Sequence, residues 1–271
     1  MAVWHLGFSS TKRGTLYPDE AQRRRAVHAL VAAAGESLAL FNIVNRHKHV
    51  LIRKQGSIAK VSGDIQSALS AVSEEPLNDP WSERIEGTKH KEALLRYFLR
   101  QPSHHDADEH DALWTGSCFL DLAGARIIDG LRLQIWDLLP NVSRSIIYRH
   151  VGLPSVEPVT LEEIRMLGAV RLVAAASAAL AADPRLLGKG KLERRGRNLA
   201  VELGRQACIS SSEMRWALAV PERSYYHALK QPVDERDMIA VRRRLALEEA
   251  VVKAGKGVPG IELGRRLKLS G

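Results

Sequence analysis

The sequence predicts an α+β protein: a small antiparallel sheet with helices packed on one face in ferredoxin-like order, then an all-α region with helix-turn-helix spacing. Three observations carry this. Strand-like and helix-like periods alternate through residues 1–125, helical spacing alone persists from residue 126 onward, and the basic charge gathers in the tail.

Each element follows from local chemistry. VWHLGF, residues 3–8, reads as a strand. PDEAQRRRAVHALVAAAGE, residues 18–36, reads as a helix entered through Pro18 and Asp19 and closed at Gly35. LALFNIV, residues 38–44, is apolar enough for a central strand. After the short Asn45-Arg46 turn, residues 47–53 form its antiparallel partner. Ile58, Val61, Ile65, Leu69 and Val72 mark one face of a second helix. A strand at residues 81–86 then precedes the helix HKEALLRYFLRQ, residues 90–101. The order β-α-β-β-α-β with a further helix is that of a small sheet domain with its helices on one face.

With 271 residues, 45% of them hydrophobic, the chain has material for two cores. The expected division is a sheet domain over residues 1–125, a helical connector over 126–190 and a basic domain over 191–271. No apolar run approaches the ~20 residues of a membrane span and MAVWHLGFSS lacks the layout of a secretory signal, so a cytoplasmic protein is expected. Cys118 and Cys208 stand alone, which excludes a disulfide framework and a thiolate zinc site. Any metal is held by N and O ligands. The net charge is +9, and residues 191–271 hold 17 Lys/Arg against 10 Asp/Glu. Such a concentrated surplus suits a module that neutralises phosphates, although a solvated basic helix face has the same composition.

Two short patterns bear chemistry. In VNRHKHVLI, His47 and His49 project from one strand face about 7 Å apart, near enough to share a cation or a phosphate, while Lys48 points to the other face. In RYFLRQ, Tyr97 and Gln101 stand at i and i+4, which stacks a phenol and an amide oxygen on one helical face. Alone, each has an ordinary explanation: a chance pair on a polar sheet surface, core packing among Leu94, Leu95, Phe98 and Leu99, and a helix terminus before Pro102. Together they outline two imidazoles and an amide oxygen for a divalent ion with a tyrosine hydroxyl beside it. SHHDADEHD, residues 103–111, reads as a polar loop.

The strand-then-HxH order, LLRYFLRQP and ALWTGSCFLDLAG over residues 1–125 resemble the single-tyrosine HUH transposases, especially the REP-associated tyrosine transposase branch. The resemblance implies an HUH-type sheet domain with His47, His49 and Gln101 as metal ligands and Tyr97 as nucleophile. It further implies Mg²⁺ or Mn²⁺ as cofactor, homodimers, and cutting of single-stranded or hairpin DNA to a 5′-phosphotyrosine and a free 3′-OH. Two departures stand out. Lys48 occupies a position that is usually hydrophobic, so the back of the strand is expected to be less buried or to contact a phosphate. NDPWSERIEGTKH is shorter than the hairpin of relatives. Both leave open a DNA-binding protein of the same fold without catalysis.

In the second half, TLEE, residues 160–163, fits a capping box opening a long Ala-rich helix, and GKGKLERRGR, residues 188–197, breaks before the basic tail. SSSEMRWALAVPERSYYHALK, residues 210–230, has helix-turn-helix spacing, with a tight turn at Val220-Pro221. Met214, Leu218, Val220, Tyr225 and Ala228 occupy the packing positions. The duplex-facing set is Arg215, Arg223, Ser224, Tyr226, His227 and Lys230, with Arg215 where a small residue is usual and Ala219 where Gly is common. The region resembles a DnaA C-terminal-like domain with LERRGRNLAVELGRQ as its leading helix. GIELGRRLKLSG, residues 260–271, resembles the start of another helix-turn-helix, as in a truncated chain.

Overall fold

The computed structural model describes residues 1–11, 15–44, 46–104 and 109–255. The second helix-turn-helix expected at residues 260–271 therefore lies outside the described residues, as does part of the 103–111 loop. Strands β1 (Ala2–Ser9), β2 (Leu38–Ile43), β3 (His47–Lys54) and β4 (Trp81–Ile85) form one antiparallel sheet in the order β2-β3-β1-β4. Helix α1 (Glu20–Ala34) joins β1 to β2, and α2 (Ala59–Ala71) joins β3 to β4. The fold class is α+β, and this connectivity is that of the split βαβ motif. Asp19 caps α1 by accepting from the Gln22 N–H, and Gly35 ends it at a positive φ of 53°.

Period-two alternation sorts the strand residues onto two faces. Val3, His5 and Gly7 of β1 lie on one face with His47, His49 and Leu51 of β3, and Gly7 sits directly opposite His49. Helix α3 (Thr88–Leu99) covers this face, with the Phe98 ring 5.2 Å from that of His5. Leu6, Phe8, Lys48, Val50 and Ile52 fill the other face, where the Tyr17 hydroxyl donates to the Leu69 carbonyl of α2 at 3.2 Å.

Strand β2 is wholly buried although, among the described residues, no other strand pairs with its outer edge, because ALWTGSC closes that edge. The Ile43 N–H donates to the Gly116 carbonyl at 2.9 Å, the Cys118 N–H to Phe41 at 3.1 Å, and the Trp114 indole N–H to Ile43 at 2.7 Å. Gly116 is required there, since a Cβ would run into the Ile43 carbonyl oxygen.

After α4 (Gln101–His104) come short helices α5 (Phe119–Leu122), α6 (Ile135–Leu138) and α7 (Arg144–His150), then α8 (Leu161–Leu167) and α9 (Ala169–Ala179). Thr160 and Glu163 make the capping box of α8, but the long Ala-rich helix is interrupted: Gly168, at φ 82°, ends α8 and starts α9 in a new direction. The chain closes with α10 (Lys191–Gln206), α11 (Ser211–Leu218), α12 (Glu222–Leu229) and α13 (Glu235–Lys253).

Two apolar cores result. The first holds the sheet, α1 to α3 and the Ile135, Ile147 and Tyr148 side chains, and it takes Leu247 and Val251 from α13. The second joins α8 to α12 through residues such as Ile164, Leu172, Leu199, Met214 and Tyr225. Residues 126–190 thus supply both cores. Arg24 of α1, buried, donates to the Ser177 hydroxyl of α9 at 3.0 Å, which ties the two parts together. No described helix is long and apolar enough to cross a membrane.

Candidate active site

The sheet register brings three histidines and a tyrosine to one face. The His47 and His49 rings are 5.1 Å apart, as their i, i+2 spacing dictates. His49 Nδ1 lies 3.0 Å from His5 Nε2 on β1, and His49 Nε2 lies 3.2 Å from the Tyr97 hydroxyl. Both ring nitrogens of His49 are thereby engaged. Tyr97 is 38% exposed at the end of α3, so its hydroxyl meets a buried imidazole from a solvent-facing position. Burial, and after it the neighbouring His90, hold His5 down to about 4, so its imidazole is neutral and carries one N–H.

His5 was invisible as a site residue in the sequence, where VWHLGF reads as a plain strand. The available signal was parity: His5 shares its face with Gly7, and Gly7 pairs with His49. Trp81 was equally unmarked. It pairs with Gly7 across β1 and β4, and its indole lies where a Gly7 side chain would be.

Gln101 is placed differently from expectation. Helix α3 ends at Leu99 with Arg100 as its C-cap, and Gln101 begins α4, so Tyr97 and Gln101 do not belong to one continuous helix. Gln101 is buried. Among the described residues no group of three or more His, Cys, Asp or Glu side chains is arranged to hold a metal. What the structure brings together is two adjacent imidazoles, and paired imidazole nitrogens suit a divalent cation.

Lys48 departs most from the sequence reading. It is 0% exposed, on the face opposite the histidines, with its Nζ 4.9 Å from the centre of the Tyr17 ring. Among the described residues its Nζ has no hydrogen-bond partner, and desolvation pulls its ammonium down to about 7. The burial argues against a phosphate contact at Lys48: even parity sends its side chain into the core.

In the tail, α11 and α12 form two helices joined by a tight turn. Ser210 and Glu213 make a capping box at the start of α11, and Ala219 ends it in the left-handed region at φ 51°. Met214, Leu218, Tyr225 and Ala228 are buried between helices, with Val220 partly so. Arg223, Ser224, Tyr226, His227 and Lys230 are exposed along α12. Arg215 is half-buried and donates to Glu222 at 3.1 Å, bridging the two helices. Arg223, Ser224 and His227 face a cleft of about 980 Å³ whose other wall, on α10, carries Lys191, Arg194 and Asn198. Tyr226 and Lys230 lie outside it.

No protein-family model matches the sequence, and no curated protein matches it. Among solved structures, one described as a REP-associated tyrosine transposase bound to a REP hairpin is similar. The two are 16% identical, the likeness covers 44% of this chain and 76% of that one, and the TM-score is 0.38. A likeness this slight carries no functional weight, and the side-chain geometry must speak for itself.

Proposed function

We propose that the chain is a metal-dependent single-stranded DNA endonuclease and strand transferase that works through a 5′-phosphotyrosine on Tyr97, with α11 and α12 as a duplex-binding module. One observation carries the reading: a solvent-facing phenol lies 3.2 Å from an imidazole that is itself held by a second, buried imidazole.

His5 Nε2 and His49 Nδ1 share one proton across 3.0 Å; with that proton on His49 Nδ1, the lone pair of His49 Nε2 faces outward. In this tautomer Nε2 accepts the Tyr97 proton in the free protein. One lone pair cannot serve both a cation and the phenol, so a cation on His49 Nε2 would leave the Tyr97 hydroxyl to face a phosphate. His47, His49 and the Gln101 amide oxygen would hold Mg²⁺ or Mn²⁺. The ion would polarise a non-bridging phosphate oxygen as a Lewis acid. Tyr97 Oη forms a bond to phosphorus as the bond to the 3′-oxygen breaks. The departing 3′-oxygen takes a proton from solvent, and the phenol proton goes to solvent. Tyrosine suits reversal, because a phenol of reference pKa ~10 is a better leaving group than an aliphatic hydroxyl.

A second reading, DNA binding without catalysis, is favoured by Lys48, an amine buried at the back of the strand between the two histidines. Incubation of labelled single strands and hairpins with Mn²⁺, followed by denaturing electrophoresis, separates the two. The nuclease reading expects a covalent adduct with wild type and none with Tyr97→Phe, which retains the ring and its packing. An adduct from Tyr97→Phe removes Tyr97 as nucleophile, and no adduct from wild type on any strand supports the second reading.

A further inference from the structure

An exposed aromatic shares its histidine neighbours with Tyr97. Trp81 is 49% exposed although it begins a strand, and half a buried indole's worth of apolar surface is left to water. It is held in place nonetheless. A side chain at Gly7 would collide with the indole Nε1, Cε2 and Cζ2 atoms, so the bare backbone of Gly7 is the seat on which the ring rests. The ring of His5 meets it edge-on at 4.7 Å, and that of His49 lies 6.4 Å away. Tyr97 contacts the same two histidines, with ring centroids 6.5 Å from His5 and 5.2 Å from His49. The indole and the phenol are therefore neighbours around one pair of imidazoles, both open to solvent. A flat, fixed, half-exposed ring next to a phosphate-directed nucleophile is the arrangement that a base adjoining the reacting phosphate would stack upon.

We propose that Trp81, seated on Gly7, is a stacking platform for a nucleobase next to the phosphodiester that Tyr97 addresses. The proposal rests on the reading of Tyr97 as acting on single-stranded DNA, and it names the subsite that positions the strand. Stacking is tolerant of base identity, so Trp81 contributes grip and alignment rather than sequence readout.

The test is equilibrium binding of a fluorescent single-stranded oligodeoxyadenylate to the full chain carrying Tyr97→Phe, without divalent cation, so that binding is read apart from cleavage. Trp81→Ala should weaken binding by roughly 10- to 100-fold, the range typical of loss of one base–aromatic stack, whereas Trp81→Phe should keep most of the affinity. Gly7→Ala, which unseats the ring while keeping it, should weaken binding in the same direction. A strand of equal length and charge with abasic residues should bind parent and Trp81→Ala alike. Circular dichroism of each variant checks the fold. Equal binding by parent and Trp81→Ala overturns the platform, and so does an abasic strand that binds the parent as tightly as the oligodeoxyadenylate. Failure of the parent to bind any single strand overturns both the platform and the nuclease reading. Intact, Trp81-dependent binding with no adduct from wild type overturns the nuclease alone.

Discussion

His49 illustrates how a single residue acquires meaning from its partners. Its two nitrogens are committed in opposite directions, one to a buried neutral imidazole and one to an exposed phenol. His49→Ala should abolish adduct formation, while Gln101→Ala should be milder, since water can replace one neutral amide oxygen; the gel assay reads both. Lys48 shows the opposite case, a charge with a cation–π neighbour but no hydrogen bond in the core. Lys48→Met keeps the volume and removes the buried amine, and should stabilise the protein by roughly 1–3 kcal/mol in urea denaturation at pH 7. Glu109 adds a pH dependence. Burial raises its carboxyl to about 7, against the partial offset of Arg23, whose guanidinium is 3.6 Å away. The folded state then keeps a proton that the unfolded chain releases above its ordinary carboxylate pKa. Stability from this group is full at low pH and is lost as pH rises from about 4.5 toward 7. Glu109→Gln should flatten that slope, and denaturation midpoints measured from pH 4.5 to 8 will show whether it does.

At the scale of elements, helix endings decide where side chains arrive. Arg100 ends α3 one residue before Gln101, so a spacing that reads as one helical face is split between two elements. Gly168 likewise divides the Ala-rich run into α8 and α9. Helix α11 ends without a glycine: Ala219 adopts φ 51°, where its Cβ crowds the backbone. Ala219→Gly should therefore raise stability by about 0.5–1 kcal/mol without disturbing the turn, as measured by thermal or urea unfolding. An unchanged or lowered stability would mean that glycine's extra freedom in the unfolded chain outweighs the relieved strain.

Across the whole molecule, the two cores are not separable by cutting the chain. Leu247 and Val251 of α13 fill the first core although they lie in the basic tail, and Arg24 of α1 is buried against α9. Removal of residues 191–271 should therefore expose apolar surface worth roughly 1.5–3 kcal/mol for each buried Leu or Val and yield an unfolded or aggregating product. A soluble truncated chain with the full chain's melting temperature would contradict this. The duplex binding proposed for the tail is better tested by point changes. Arg223→Ala and Lys230→Ala should each reduce the salt dependence of duplex affinity by about one ion if each touches a phosphate.

By itself the sequence determined the order of elements, because alternation, capping residues and turn chemistry act over a few neighbours. The antiparallel pairing of β2 with β3, the HxH pair, the Thr160 capping box and the α11–α12 pair with its packing residues were all legible in it. Tertiary structure decided what touches what across sequence distance. That His5 supports His49 from 44 residues away, that Gly7 makes room for Trp81, and that Lys48 is enclosed beneath Tyr17 all follow from strand register and from which helix covers which face. Those are properties of pairing between segments, and local periodicity carries no record of the partner.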